Sequence, residues 1–95
     1  MALGLLHGFR DAGLDLPRQL SVVGFDDIPL ARHGWPPLTT VHQNFTGLGE
    51  RAVRALLDAI GAPAAEGEDM PVEASDVVPR VVVRESTAPA PVRAR

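Results

Sequence analysis

The segment Leu20 to Phe25 (LSVVGF) constrains the fold more than any other stretch of the chain. It is short, β-branched and almost wholly apolar, the pattern of a strand covered on both faces, as in a parallel sheet. Such a strand needs parallel neighbours, and the chain offers only two: Leu38 to Gln43, and Val77 to Arg84, where Pro79 removes one ladder donor and marks a strand start or a sheet edge. Two helices accompany them. From Met1 to Ala12, the apolar residues Ala2, Leu5, Leu6, Phe9 and Ala12 recur at helical spacing opposite His7, Arg10 and Asp11. Gly13, Leu14 and Pro17 end that helix. From Phe45 to Ile60, Phe45, Leu48, Ala52, Val53, Leu56, Leu57 and Ile60 share a face that reads as packing; Asn44 is placed to cap this helix, and Gly61 and Pro63 stop it. Gly47 and Gly49 each cost about 1 kcal/mol against Ala, a cost that suits a close approach of another backbone.

Ile28 to Pro37 and Ala62 to Ala74 read as loops, and Ala88 to Arg95 as a disordered tail. The order helix, strand, strand, helix, strand defines an α/β domain, yet three short strands cannot form a sheet covered on both faces. No Ser, Thr, Asp or Asn precedes the first helix. The expectation is an incomplete piece of a larger α/β architecture, poorly folded or associating when isolated.

Composition narrows the function. Ninety-five residues allow one small domain, and 45% hydrophobic with 22% charged residues is globular. The absence of cysteine excludes disulfides, thiolate zinc sites and cysteine nucleophiles. No run reaches the roughly 20 apolar residues of a membrane span, and the apolar start lacks the basic region of a signal peptide, so the default reading is cytoplasmic, with no membrane partner. A net charge of -3 argues against nucleic acid as this chain's own target. Phosphate-cradling, dinucleotide and nucleophile-elbow motifs are missing. His7, His33 and His42 fall on a helix, a loop and a strand without metal-ligand spacing, and read as surface or turn histidines. No metal site, cofactor or catalytic residue is expected, and the chain reads as a non-enzyme.

Ligands of open α/β sheets bind beyond the carboxyl ends of strands, and the Val22 to Phe25 strand ends in Asp26 and Asp27. A carboxylate there can accept hydrogen bonds from neighbouring hydroxyls of a sugar. The plainer reading is a turn, where Asp is favoured. A catalytic pair is disfavoured because adjacent side chains at a strand end point apart. Trp35 reads first as core, then as a ligand platform or interface anchor.

Taken in order, Ala2-Leu3-Gly4, Ala12-Gly13-Leu14, Pro17, Ser21-Val22-Val23-Gly24-Phe25-Asp26-Asp27, Pro36-Pro37-Leu38-Thr39-Thr40-Val41 and Val81-Val82-Val83-Arg84-Glu85-Ser86-Thr87 closely resemble the lactose-repressor/galactose-repressor (LacI/GalR) family of bacterial transcription regulators. The resemblance implies a piece of a periplasmic-binding-protein-like, two-lobed α/β/α sandwich with parallel sheets. Residues 1–87 would be the C-terminal part of its effector-binding domain, contributing to both lobes, and 88–95 the tail. Leu38 to Gln43 would cross between lobes, and Val77 to Arg84 would return.

By the same resemblance, Asp26 matches an effector-contacting acid, and Phe45 and Leu48 match apolar positions lining the pocket. The loop from Leu30 to Trp35 matches a region near the dimer contact, making Leu30, His33 and Trp35 candidate dimer residues. The implied partners are a small sugar-like effector, a second copy of the full-length protein, and DNA only through an N-terminal headpiece not found in these residues. A periplasmic sugar-binding protein of a transport system, a non-functional truncated remnant and a small enzyme using Asp26 and Asp27 are the competing readings.

Overall fold

A computed structural model describes residues 1–61 and 77–92, and the expected loop from Ala62 to Ala74 lies outside the described residues. The chain forms two compact units: residues 1–42 with the returning segment from Arg80, and the intervening segment from Gln43 to Pro79.

The first unit begins with helix α1, Ala2–Asp11, which has no side-chain cap at its start. Its end is a Schellman motif: Gly13 adopts φ 81, its N–H donates to the Arg10 carbonyl, and the Leu14 N–H donates to the Phe9 carbonyl, each at 3.0 Å. The chain then returns so that Leu6, Val22, Ala31 and Leu38 form a small core, with Ala2, Leu3, Phe9 and Leu16 packed against it. Gly24 lies at the edge of this core. A Cβ there would sit 2.7 Å from Leu38 Cδ2, so any larger residue would require that buried leucine to shift.

Leu20 to Phe25 does not form the doubly covered strand expected of it. Val22 is buried, but Leu20, Val23 and Phe25 are exposed. The segment makes two isolated parallel bridges, Val23 to Thr39 and Asp26 to His42, and no continuous ladder. The reason lies in its two edges and its end. Val22 N–H donates to the Ser86 carbonyl and Gly24 N–H to the Thr39 carbonyl, each at 2.9 Å, so successive residues pair with different segments. Asp26 and Asp27 then turn out of extended geometry at φ 84 and 51.

The regular ladder is a two-stranded one between β1, Thr40–His42, and β2, Arg80–Val82. It is antiparallel, pairing Thr40 with Val82, Val41 with Val81 and His42 with Arg80, so parallel pairing survives only in the two bridges. Strand β2 starts directly after Pro79, which accordingly interrupts no ladder. Within the expected loop Ile28 to Pro37, Pro29–His33 forms a 3-10 helix that buries Ala31. The expected tail starts tied down: Ala88 N–H donates to Ser21 Oγ at 3.0 Å, and Ser21 Oγ donates to the Ala88 carbonyl at 3.2 Å.

In the second unit, α2 spans Phe45–Ala59. Asn44 Oδ1 accepts from the Gly47 N–H at 2.9 Å, and Gly61 follows the helix at φ 72. The apolar face expected to be packing is exposed at Phe45, Leu48, Val53, Leu56 and Ile60. A Cβ on Gly49 would meet nothing within 4 Å, so no close backbone approach explains that glycine.

Two stability effects follow from this packing. Gly49→Ala is expected to raise the unfolding free energy by about 0.5–1 kcal/mol, since it removes unfolded-chain entropy without a clash. Ser86→Ala is expected to lower it by about 2 kcal/mol, because it strips a partner from two backbone groups at a buried position. Urea unfolding followed by circular dichroism measures both.

Candidate functional site

The site grows from the turn at the carboxyl end of the Val22 to Phe25 segment. Two consecutive aspartates occupy the left-handed region, a conformation their short polar side chains tolerate better than most. The Asp27 N–H donates to Thr40 Oγ1 at 3.3 Å, which anchors the turn to β1. The side chain of Asp27 is only 8% exposed and is gripped on both oxygens. Oδ2 lies 2.8 Å from His42 Nδ1, and Oδ1 lies 2.8 Å from Arg84 Nη2. An ionised carboxylate only accepts hydrogen bonds, so His42 carries its hydrogen on Nδ1.

Arg84 is itself fixed. Its Nη1 donates to the Leu38 carbonyl at 2.8 Å, and its backbone N–H donates to Thr39 Oγ1 at 2.9 Å. Thr39 Oγ1 shares a further 2.8 Å hydrogen bond with Thr87 Oγ1. Below this layer, Ser86 Oγ donates to the Val22 carbonyl at 2.6 Å and accepts from the Thr39 N–H at 2.7 Å. Every buried side-chain nitrogen or oxygen among the described residues has a partner. His42 is the last residue of the first unit before the chain enters the second, and Arg80 is the first on its return. The Asp27 carboxylate therefore joins the outgoing strand, at His42, to the segment just after the returning strand, at Arg84.

Burial of the Asp27 carboxylate acts to raise its pKa, but the hydrogen bonds and positive charge of Arg84 and His42 outweigh it and hold the group below the usual carboxylate range. His42, read from the sequence as a surface or turn histidine, is 37% exposed and is also paired with a buried acid. His7 does lie on the surface, 3.2 Å from Asp11 one helical turn away. Asp27 was legible only as a turn residue or as half of an acid pair, and Arg84 only as part of a family block. Arg84 closes the apolar run Val81 to Val83, and nothing local to it names its partner.

Asp26, bridged to His42 through the backbone, stays exposed at the end of the extended segment. Phe45 and Leu48 lie in the first turn of α2, both exposed, in the second unit. Leu30 and His33 are exposed on the 3-10 helix. Trp35 is 72% exposed, which overturns its reading as core. The Arg10 guanidinium covers its ring at 5.2 Å from the centroid, so α1 supports the indole from one side. A cleft of about 310 Å³ opens between Arg10, Leu14, Leu16, Trp35, Pro37 and Glu85, among others. The described residues contain no group of three His, Cys, Asp or Glu side chains able to hold a metal, and no helix long and apolar enough to cross a membrane.

A turn presenting an exposed acid at the carboxyl end of an extended segment is the place where open α/β folds take ligands. The sequence profile described as a periplasmic binding protein-like domain matches residues 1–87, and the chain belongs to that family.

The chain is 48% identical over 92 residues to the HTH-type transcriptional regulator MalR of Streptomyces coelicolor, an alignment taking in 96% of this chain and 25% of that protein. It is 40% identical over 93 residues to the HTH-type transcriptional repressor PurR of Salmonella paratyphi B, covering 98% and 26%. It therefore spans about a quarter of the length of the curated relatives it matches.

In structure it is similar to a LacI family transcriptional regulator from Lactobacillus casei solved with bound glucose, with a TM-score of 0.73, 28% identity, and coverage of 90% of this chain and 28% of that one. The lac repressor dimer bound to operator and the anti-inducer ONPF matches with a TM-score of 0.72 and 32% identity, covering 90% and 28%. The stretch of these regulators to which the chain aligns is their ligand-binding domain.

The charge state of Asp27 has a thermodynamic consequence. Its folded pKa is depressed, so the stability it contributes is present above the unfolded value of about 3.9 and is lost as pH falls through the folded value. Asp27→Asn is expected to lower stability at neutral pH and to flatten the loss of stability below about pH 4, read from urea midpoints across pH 2.5 to 7.

Proposed function

We propose that residues 1–87 form the C-terminal part of the effector-binding domain of a cytoplasmic, homodimeric LacI-type transcriptional regulator, with 88–95 as its tail. The effector is a small sugar-like metabolite. Asp26 accepts hydrogen bonds from its hydroxyls, while Phe45 and Leu48 cover its apolar face. The chain carries out no reaction: effector binding closes the two lobes and shifts a two-state equilibrium, which changes DNA affinity in a headpiece outside these residues. Leu30, His33 and Trp35 contribute to the dimer contact, where a large exposed indole held by an arginine is suited to anchor an interface.

The observation that carries this reading is the place of Asp26: it is exposed, at the carboxyl end of the extended segment, where open α/β folds take ligands. Similarity to a regulator solved with bound glucose supports a sugar as the ligand class.

The test is calorimetric titration of the full-length regulator with a panel of monosaccharides, disaccharides and nucleosides. A panel member should bind, and Asp26→Ala should weaken that binding about tenfold or more, the scale of a lost charge-assisted hydrogen bond, with the melting temperature nearly unchanged. Equal binding by wild type and Asp26→Ala, or no binding by any panel member, overturns the reading.

A further inference from the structure

The first unit holds a cleft and a loose end whose chemistries match. Leu16, Trp35 and Pro37 are the apolar part of the cleft of about 310 Å³, and Asp15 and Glu85 are its acids. The Glu85 N–H donates to the Pro37 carbonyl at 3.0 Å, which ties two of its walls together. Arg10, the one cation of the lining, lies over the Trp35 ring, so the cleft is acidic on balance. Asp15 already accepts from Arg18 Nε at 2.7 Å, which makes the exposed Glu85 the stronger anchor for a further cation. An exposed indole beside an acid is the composition of grooves that take extended proline-rich segments. The ring packs on pyrrolidine faces and the carboxylate pairs with an arginine.

The tail has the complementary composition. From Ala88 the chain reads APAPVRAR, and Arg93 and Arg95 are the only charged side chains beyond Glu85. Pro89 and Pro91 each fix φ and favour extended chain, which lowers the entropy lost on docking. Residues 88–92 are exposed, and the two hydrogen bonds between Ala88 and Ser21 fix the point from which the tail departs. That point is three residues past Glu85, so at most about 10 Å of chain separates it from the cleft's acid. Residues 89–95, extended at about 3.1 Å each, reach about 22 Å.

We infer that the cleft beside Trp35 is a docking site for this chain's own tail, residues 89–95. Pro89 and Pro91 pack on Trp35 and Pro37, and the arginines pair with Glu85 and Asp15. The inference goes beyond the proposed function and does not rest on the effector reading. Trp35 also belongs to the proposed dimer contact, so all samples in the test are compared at one protein concentration.

The experiment follows the Trp35 indole N–H by nuclear magnetic resonance in the full-length regulator, its signal assigned with Trp35→Phe. Deleting residues 89–95, which keeps Ala88 and its anchor, should move that signal. A synthetic peptide of residues 88–95, added to the tail-less protein, should return it. The intact protein should take up the peptide about tenfold more weakly or worse, because its own tethered tail competes at high effective concentration. Glu85→Gln in the tail-less protein, or a peptide with both arginines replaced by glutamine, should each weaken uptake about two- to fivefold. In the intact regulator, Glu85→Gln should shift the indole signal towards its tail-less position, which keeps the test open if the deletion variant does not fold. An indole signal unmoved by the deletion and by the peptide overturns the inference, as does equal uptake of the two peptides. Mixing isotope-labelled tail-less protein with unlabelled intact protein should leave the labelled signal unchanged; its return to the intact position would assign the tail to a second copy and overturn docking within one chain.

Discussion

One hydroxyl holds the first unit together. Ser86 is fully buried and bonds simultaneously to the Val22 carbonyl and the Thr39 N–H, so it fastens three segments that are distant in sequence. The backbone reinforces it through Val22 to Ser86, Gly24 to Thr39 and Glu85 to Pro37. The apolar core beside it is small, with four buried side chains among the described residues. Apolar burial is non-directional and would tolerate a sliding of one segment past another. Hydroxyl-to-backbone bonds do not, because a slip of one residue strands a buried donor or acceptor at a cost of about 1–3 kcal/mol. The register of the junction is therefore set by Ser86, Thr39 and Thr40 more than by Leu38 or Val22.

Register at that depth decides what happens at the surface. With Thr40 opposite Val82, His42 falls opposite Arg80, and Arg84 emerges beside Asp27. A one-residue shift would turn successive side chains to the opposite face and leave the Asp27 carboxylate buried without its cation. The ion pair and the hydroxyl layer are thus mutually dependent: the layer brings the charges together, and the charges penalise any other register.

Much of this was legible residue by residue. Gly13 and Leu14 announced the end of α1, Asn44 the start of α2 and Pro79 the start of β2, because caps and proline act locally and need no tertiary partner. The PPLTTV and SVVGFDD blocks pointed to the family that the profile over residues 1–87 shows. Where the reading failed, the cause was non-local. Periodicity cannot tell that Leu20 to Phe25 meets Thr39 on one edge and Ser86 on the other, nor that two left-handed aspartates end it early. Trp35 reads first as core beside its readings as ligand platform or interface anchor, yet it is exposed, with Arg10 over its ring. Asp27 and His42 looked like turn and surface residues because their common partner, Arg84, lies far along the chain.

The same logic accounts for where the apolar surface lies. The pairing of hydroxyls and charges at the junction satisfies polar groups without enclosing side chains, so Val23, Phe25, Val81 and Val83 remain exposed around it. On α2, Phe45, Leu48, Leu56 and Ile60 recur at helical spacing and are exposed as well. A polar junction with apolar surroundings is rigid in register and rich in area for further burial. Such surfaces gain free energy, about 25 cal/mol per Å² of apolar area removed from water, only when another surface closes over them. The described residues thus separate two tasks, with directional bonds fixing the geometry at Asp26 and Asp27 while the exposed apolar faces hold the free energy available to association.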